Sequence, residues 1–256
     1  MRHRKLVADL ALVGVLGALG VTAFAVTGDG GASSRPTATS TAHTEEPPAV
    51  PTPTQDHEAA VSQSRSALRT AGLTPPDDWA PVRIRSERHD DRVVSVVRYE
   101  QGAPRDLGGE HITTVVGADD TLLGYTRMTV DASRGPKATD KDAARDVAFA
   151  WLDGFAARHA EGLDVQWVND HDEEVRDPAG AAHTITGLKV KTHHDNGLYT
   201  WVIVDGDGQV ITYERDIRLD GNAGRRGTEM WLHDKWIAAR EGSGPQPPSP
   251  YAVANG

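Results

Sequence analysis

Two segments of the chain alternate apolar and polar residues on both sides of a short run of Gly and Asp, and this pattern constrains the fold most. They are Tyr199–Asp216, YTWVIVDGDGQVITYERD, and His111–Met128, HITTVVGADDTLLGYTRM. Alternation with a period of two is typical of strands that bury one face. Gly and Asp accept the positive φ that a tight reversal requires. We therefore predict that the two segments are copies of one β-hairpin and that DGDG is a turn.

The DGDG run also resembles the start of a calcium-binding loop. An EF-hand loop that begins at Asp205 requires Gly at its sixth position and Glu at its twelfth, but Val210 and Asp216 stand there. The earlier segment has Gly117 where the later one has Asp205. Turn chemistry is what the two segments share, so we expect no metal at either of them.

Pleat parity assigns the side chains of both hairpins to faces. The face that we expect to form the core beneath a helix holds Val202, Val204, Ile211 and Tyr213, with Thr114, Val116, Leu123 and Tyr125 in the earlier segment. The opposite face of the later hairpin carries Tyr199, Trp201 and Ile203. Trp201 needs a cover, which is either packing by the two halves or the C-terminal segment TEMWLHDKWIAARE, or else a partner or ligand.

A helix is predicted before each hairpin. DKDAARDVAFAWLDGFAARH from Asp140 and DHEAAVSQSRSALRTAGL from Asp56 both open with Asp, one residue, an acid and two alanines. Thr139 and Asp142 have the spacing of a capping box. Apolar residues recur at helical spacing in the later segment, at Ala144, Val147, Ala148, Trp151, Leu152 and Phe155. The chain therefore reads as two units of helix and hairpin.

This arrangement of an acid-x-acid-Ala-Ala helix followed by YTWVIVDGDGQVITYE resembles the PepSY-type repeat of metalloprotease propeptides and bacterial envelope proteins. The resemblance covers about 139–220 and, less closely, 56–131. It implies an α+β fold of two helix-plus-antiparallel-sheet repeats, 56–135 and 136–241, with the C-terminal segment in the second. It also implies modules without catalytic residues that bind and inhibit peptidases or regulate local proteolysis.

The N-terminal residues are predicted to be a membrane address, assigned to 1–28. A basic start precedes the uncharged stretch Leu10–Gly28, which is about the shortest run that crosses a bilayer as a helix. The small residues around Ala25 favour a cleaved signal peptide and a secreted protein, whereas the uncharged length favours a retained single-pass anchor. In both cases the rest of the chain is expected outside the membrane.

Composition defines the remaining segments and excludes some classes of function. Residues 29–55 are rich in Ser, Thr and Pro, and 242–256 are rich in Gly and Pro, so we predict a disordered linker and a disordered tail. The formal net charge of -10 argues against nucleic acid as a partner. The absence of cysteine excludes disulfides and thiolate metal sites.

Candidate enzyme motifs are weak. The HEAAV run has Val61 where the second histidine of His-Glu-x-x-His belongs. His193 and His194 are suitable zinc ligands, but adjacent residues of a strand point to opposite faces, so we expect a solvated turn there. A metal-dependent hydrolase that uses this pair and nearby acids remains the alternative function. We expect another acidic run to be simply solvated: Asp170, Asp172, Glu173 and Glu174.

The favoured function is therefore a non-enzymatic, extracytoplasmic binding module. Its expected partner is a protein of the cell envelope or a secreted peptidase, and its expected contact with the membrane is through the N-terminal segment only. No cofactor, metal or nucleic acid is expected. Buried aromatic residues commonly carry interface energy, so the candidate partner-binding residues are Tyr199, Trp201, Trp231 and Trp236.

Overall fold

Backbone hydrogen bonds join eight strands into one antiparallel sheet in the computed structural model, which describes residues 57–254. The strands are β1 (Trp79–His89), β2 (Arg92–Gln101), β3 (His111–Gly117), β4 (Leu122–Met128), β5 (Leu163–Arg176), β6 (Ala182–His194), β7 (Tyr199–Val204) and β8 (Val210–Ile217). Their order across the sheet is β1-β2-β3-β4-β8-β7-β6-β5. Two further short strands, β9 (Leu219–Asp220) and β10 (Arg225–Arg226), pair with each other.

This sheet corrects the predicted fold class. The α+β fold of two helix-plus-sheet repeats, 56–135 and 136–241, is wrong because β4 pairs with β8 and makes one continuous ladder of all eight strands. Tyr125 lies opposite Tyr213 at this junction. The N-terminal membrane segment of that prediction lies outside the described residues, as does the linker.

Within residues 57–254, three α-helices and one 3₁₀ helix accompany the sheet: α1 (His57–Thr70), α2 (Lys141–Ala160), α3 (Asp234–Arg240) and the 3₁₀ helix Asp131–Arg134. The side chain of Asp140 caps α2 by accepting hydrogen bonds from the backbone amides of Asp142 and Ala143. The capping-box spacing predicted Thr139 as the cap, but the cap is Asp140. None of the helices between residues 57 and 254 has the length and hydropathy needed to cross a membrane.

Helices α1 and α2 cover one side of the sheet, which we call the helix face. Their apolar side chains bury Val97, Leu188, Val202 and other strand residues in the largest core. Trp151 of α2 packs edge-on against Tyr213, with ring centroids 5.1 Å apart. This face is closed mainly by the burial of apolar surface, which is the dominant stabilising contribution in most domains.

The other side, which we call the C-terminal face, is partly covered by residues 226–254. Trp231 and Trp236 pack edge-on, with ring centroids 4.9 Å apart, over valines of β2 and β3. Ala252 and Ala254 are 3% and 1% exposed. The predicted disordered tail, 242–256, is thus packed as far as Ala254, because its small apolar residues fill this second core.

Two β-bulges change the predicted faces of the hairpins. The register shifts between Val115 and Val116 and again between Ile203 and Val204. Each shift inserts one unpaired residue, which reverses the side-chain alternation beyond it. Leu123 and Ile211 therefore pack on the C-terminal face, in clusters separate from the helix-face core. Tyr213 was placed correctly on the helix face.

Candidate functional site

A buried carboxylate, that of Glu214, lies at the centre of the C-terminal face. Strand β8 directs it away from the helices, and Arg226 of β10 lies above it, with Nη1 at 2.5 Å from Oε2. Its other oxygen accepts hydrogen bonds from Trp201 Nε1 at 3.0 Å and from the His233 ring at 2.9 Å. Burial alone would raise the pKa of Glu214, but Arg226 and His233 hold it well below its usual range. Glu214 is therefore an ionised, fully paired group.

Lys189 of β6 lies beside this pair. Its Nζ is 3.9 Å from the centroid of the Trp201 ring, and the Arg226 guanidinium lies 5.5 Å from the same centroid. Burial lowers the pKa of Lys189 to about 8, against the opposing attraction of Glu214. Trp201 is thus enclosed by two cations and a carboxylate, which is a favourable setting for an aromatic ring.

A second ion-pair cluster begins at Asp234, the first residue of α3. Its carboxylate accepts a hydrogen bond from Arg98 Nη1 at 2.7 Å, and Arg98 Nε bonds Glu100 at 2.5 Å. The His111 ring lies 3.8 Å from Asp234 and bonds the Gly109 carbonyl. Burial would raise the pKa of Asp234, but His111 and Arg98 lower it. The cluster joins α3 to strands β2 and β3.

A pocket of about 210 Å³ lies between the two clusters. Glu173 of β5 borders it and accepts a hydrogen bond from His171 at 2.9 Å, while His233 lies 4.0 Å away. The hydroxyls of Thr126 and Thr212 bond each other at 2.8 Å. These polar groups therefore bond one another across the pocket, whereas the Nε2 atom of His111, which also lines it, has no hydrogen-bond partner among the described residues.

The C-terminal face is open where it meets strand β5. Trp167, Lys191, His193 and Tyr199 lie there, and we call these four residues the open strip. Lys191 Nζ lies 5.4 Å from the Trp167 centroid and 4.4 Å from the Tyr199 centroid, and the His193 ring packs edge-on against Tyr199 at 4.8 Å. The strip is therefore a lysine amine held between two aromatic rings at the edge of the sheet.

The predicted partner-binding residues separate into two groups. Trp201, Trp231 and Trp236 are 6%, 2% and 1% exposed, so they are packing residues in this conformation. Tyr199 is half-buried and belongs to the open strip. The Trp201 ring is covered by Lys189 and by Arg226, which precedes the segment TEMWLHDKWIAARE that we considered as its cover. Trp167, which the sequence did not single out, is 39% exposed and is the one exposed aromatic residue in the described part of the chain.

The candidate metal ligands are not brought together. The His193 ring contacts Tyr199 on the C-terminal face, whereas the His194 ring stacks on His159 of α2, with centroids 4.6 Å apart. Both histidines belong to strand β6 and are half-buried, so the solvated turn predicted there is wrong. Adjacent strand residues point to opposite faces, which keeps the two rings apart. Among residues 57–254, no group of three or more His, Asp or Glu side chains is arranged to hold a metal ion.

The DGDG run is a turn, as predicted. The Gly208 amide bonds the Asp205 carbonyl, and the Asp205 carboxylate accepts from the backbone amides of Asp207 and Gln209. Gly208 has a φ of +76°, which favours glycine. Both aspartates thus serve the backbone geometry of the hairpin.

Sequence reasoning missed the ion-pair network. The signal was present in the strand LKVKT, where Lys189 and Lys191 alternate with apolar residues and so share one face. The register of β6, β7 and β8 places Lys191, Trp201 and Glu214 in one cross-strand row.

No protein-family model matches the chain, and no curated protein matches it. The resemblance to PepSY-type repeats therefore remains a prediction.

Proposed function

We propose that the chain is a non-enzymatic binding module that its N-terminal segment directs across a bacterial membrane, and that its ligand is another protein. The observation that carries this proposal is the contrast within the C-terminal face. The carboxylates of Glu214 and Asp234 form buried ion pairs, while Trp167 and Lys191 lie beside an open sheet edge. Exposed aromatic residues are typical of protein-binding surfaces.

The chemistry of the covered pocket favours this reading over catalysis. Catalytic sites usually hold a nucleophile or an acid–base group that is poised near neutral pH and reachable by substrate. Beside that pocket, the carboxylate of Glu214 is ionised and already bonded by three side chains. Lys189, whose pKa burial lowers to about 8, packs on the Trp201 ring. A secreted peptidase is the first class of partner to test, because the sequence resembles peptidase-regulating repeats.

The experiment uses the full chain in detergent micelles. It is immobilised and exposed to native envelope and culture extract, and each retained protein is then purified and titrated against the full chain by calorimetry. We expect one partner to bind with a defined stoichiometry, and a peptidase partner to lose activity in step with complex formation. The proposal fails if no purified protein binds, or if the chain turns over a substrate that it binds.

The matched variants are Trp167→Ala and Val93→Ala. Both remove an exposed apolar side chain from a strand, but Val93 lies on β2, away from the open strip. Binding that is lost only in Trp167→Ala assigns the surface to β5. Equal binding by both variants leaves the chain a binding protein and moves its surface elsewhere.

A further inference from the structure

Strand β5 is an edge with unused hydrogen-bonding groups. It pairs with β6 along its length, and no other strand pairs with its outer side between residues 163 and 175 in the described part of the chain. Among the described residues, the backbone of the outer side pairs only at Arg176, which bridges to Gly109. A free strand edge is a template for an added strand, because its backbone groups seek partners.

The opposite edge, β1, is protected against such addition. Pro81 interrupts it, and proline removes a backbone donor. Arg85 of β1 also forms an ion pair with Glu241, the residue that follows α3. Strand β5 contains no proline. Of the two edges, β5 is therefore the one that is able to accept a partner strand.

The apolar surface near β5 favours an added strand at one end of the edge. Among the described residues, Val165 and Trp167 are two of the four large hydrophobic side chains that are exposed, at 37% and 39%. A register shift separates them, so they face opposite sides of the sheet. A strand that pairs with this part of β5 would cover both side chains at once.

Lys191 supplies the charge that selects the partner. Its amine is held by the rings of Trp167 and Tyr199, and it forms no ion pair with a described residue. Lys189, two residues away on the same face, differs because the carboxylates of Glu214 and Glu173 stabilise its positive charge. A partly buried cation without an anion gains free energy when a carboxylate arrives, because the low local dielectric strengthens their attraction.

A second copy of this chain is a poor occupant. The exposed acids of β5 are Asp164, Asp170, Asp172 and Glu174. Pairing β5 with its own copy would bring two such rows together, and like charges on adjacent strands are destabilising. The favoured occupant is therefore a foreign segment that carries an acidic residue near the open strip and none opposite the acidic row of β5.

We infer that β5 binds an extended peptide segment of another protein, added as an antiparallel or parallel ninth strand, whose Asp or Glu side chain lies over Trp167 and pairs with Lys191. Added strands lie about 4.8 Å from the edge strand, so a residue opposite Trp167 is within reach of the strip. This inference rests on the proposed function and specifies the partner as a peptide of acidic and β-forming residues.

The test begins with a displayed library of random nine-residue peptides, selected on the full chain in detergent micelles. We expect the enriched peptides to carry Asp or Glu among β-branched residues. A selected peptide is then synthesised with its acid intact and with the acid changed to Gln or Lys. Its affinity should fall about tenfold with Gln and further with Lys, which corresponds to the loss of one charge-assisted contact.

Variants of the chain locate the site. Trp167→Ala and Lys191→Met should each weaken binding of the acidic peptide about tenfold or more, while Val93→Ala and Lys235→Met should leave it within about twofold. Lys235 is an exposed lysine elsewhere on the C-terminal face. Circular dichroism of each variant checks that the fold is intact, as expected for an exposed tryptophan and a half-buried lysine.

Backbone N-methylation tests strand addition directly. Methylation of one amide at a time should abolish binding at every second position, because alternate amides of an added strand face β5. The inference is overturned if no peptide is enriched, if methylation has no alternating effect, or if both strip variants bind as well as the native chain. A dimer that depends on Trp167, measured by light scattering, would instead assign the edge to a second copy and overturn it.

The outcomes also separate this inference from the proposed function. A purified protein partner that binds Trp167→Ala and Lys191→Met as tightly as the native chain leaves the binding module intact and removes the β5 site. The absence of any protein partner removes the proposed function, whether or not peptides are selected.

Discussion

The two faces of the sheet are closed by different physical means. The helix face buries Leu152, Tyr213 and their neighbours under α1 and α2, with few charged groups. The C-terminal face is closed by residues 226–254, which combine an apolar core around Trp231 with the buried pair of Glu214 and Arg226. Apolar burial is nondirectional, whereas a buried ion pair holds only when both partners are in place.

The contrast between the two faces shows which residues of the C-terminal face stabilise the fold and which are free to bind a partner. The C-terminal cover is fixed by directional contacts such as Arg226 to Glu214 and Trp231 to the Arg88 carbonyl, so it has one seating on the sheet. It ends short of the open strip, which leaves Trp167 and Lys191 accessible. Substitutions in the strip are therefore expected to alter binding without unfolding the chain.

The largest effect is expected from Arg226→Met. The change leaves Glu214 buried without its cation and also removes hydrogen bonds to the Thr228 and Glu229 carbonyls. Loss of one partner of a buried pair costs about 3–5 kcal/mol of unfolding free energy. Urea unfolding followed by tryptophan fluorescence measures the loss.

The double variant Glu214→Gln/Arg226→Met is the decisive control. Gln keeps the oxygen that Trp201 and His233 bond but carries no charge, so the double variant should regain at least about half of the lost stability. The exposed ion pair of Arg145 and Asp142 offers the comparison. Arg145→Met should lower the free energy of unfolding by less than about 1 kcal/mol. Equal losses in the single and double variants would show that the charge at Glu214 is not the cause.

On the helix face, Leu152→Ala should cost slightly less, about 3 kcal/mol. Leu152 is 1% exposed, and its truncation removes apolar contacts and leaves a cavity beneath α2. The neighbouring exposed residue provides the control, since Asp153→Ala should change the unfolding free energy by less than about 0.5 kcal/mol. A Leu152→Ala variant that is as stable as the native chain would mean that α2 is not the main cover of this face.

Turns and helices were predictable from the sequence because their signals are local. The DGDG turn follows from Gly208 and Asp205, and α2 follows from apolar spacing and an acid at its start. The faces were predictable up to the bulges, which reversed Leu123 and Ile211. A bulge depends on how the turn seats between two strands, and a period-two pattern does not encode it.

The single sheet and the ion-pair network were beyond local reasoning. Pairing of β4 with β8 joins residues far apart in the chain, and only the register places Glu214 beside Trp201. Arg226 reaches them from a two-residue strand that has no periodicity to recognise. The candidate aromatics were chosen by type, and so three buried tryptophans were preferred to Trp167, whose exposure depends on β5 being an edge.

The smallest effect concerns the cost of burying Lys189 on the C-terminal face. Burial lowers its pKa from 10.5 to about 8, so between these values the unfolded chain binds more protons than the folded chain. Stability contributed by this group therefore rises with pH through that window, and the cost is greatest below pH 8. Relative to Lys189→Met, the native chain should gain about 2 kcal/mol between pH 7 and pH 9.5.

Leu152→Ala distinguishes this titration from general alkaline effects. The substitution removes no ionisable group, so its stability difference from the native chain should be the same at both pH values. Burial raises the pKa of Tyr125 to about 12, and ionisation of tyrosines in the unfolded chain would therefore destabilise the fold only above about pH 10. If the difference in unfolding free energy between the native chain and Lys189→Met stays constant from pH 7 to 9.5, then Lys189 is hydrated and its charge on the C-terminal face costs no stability.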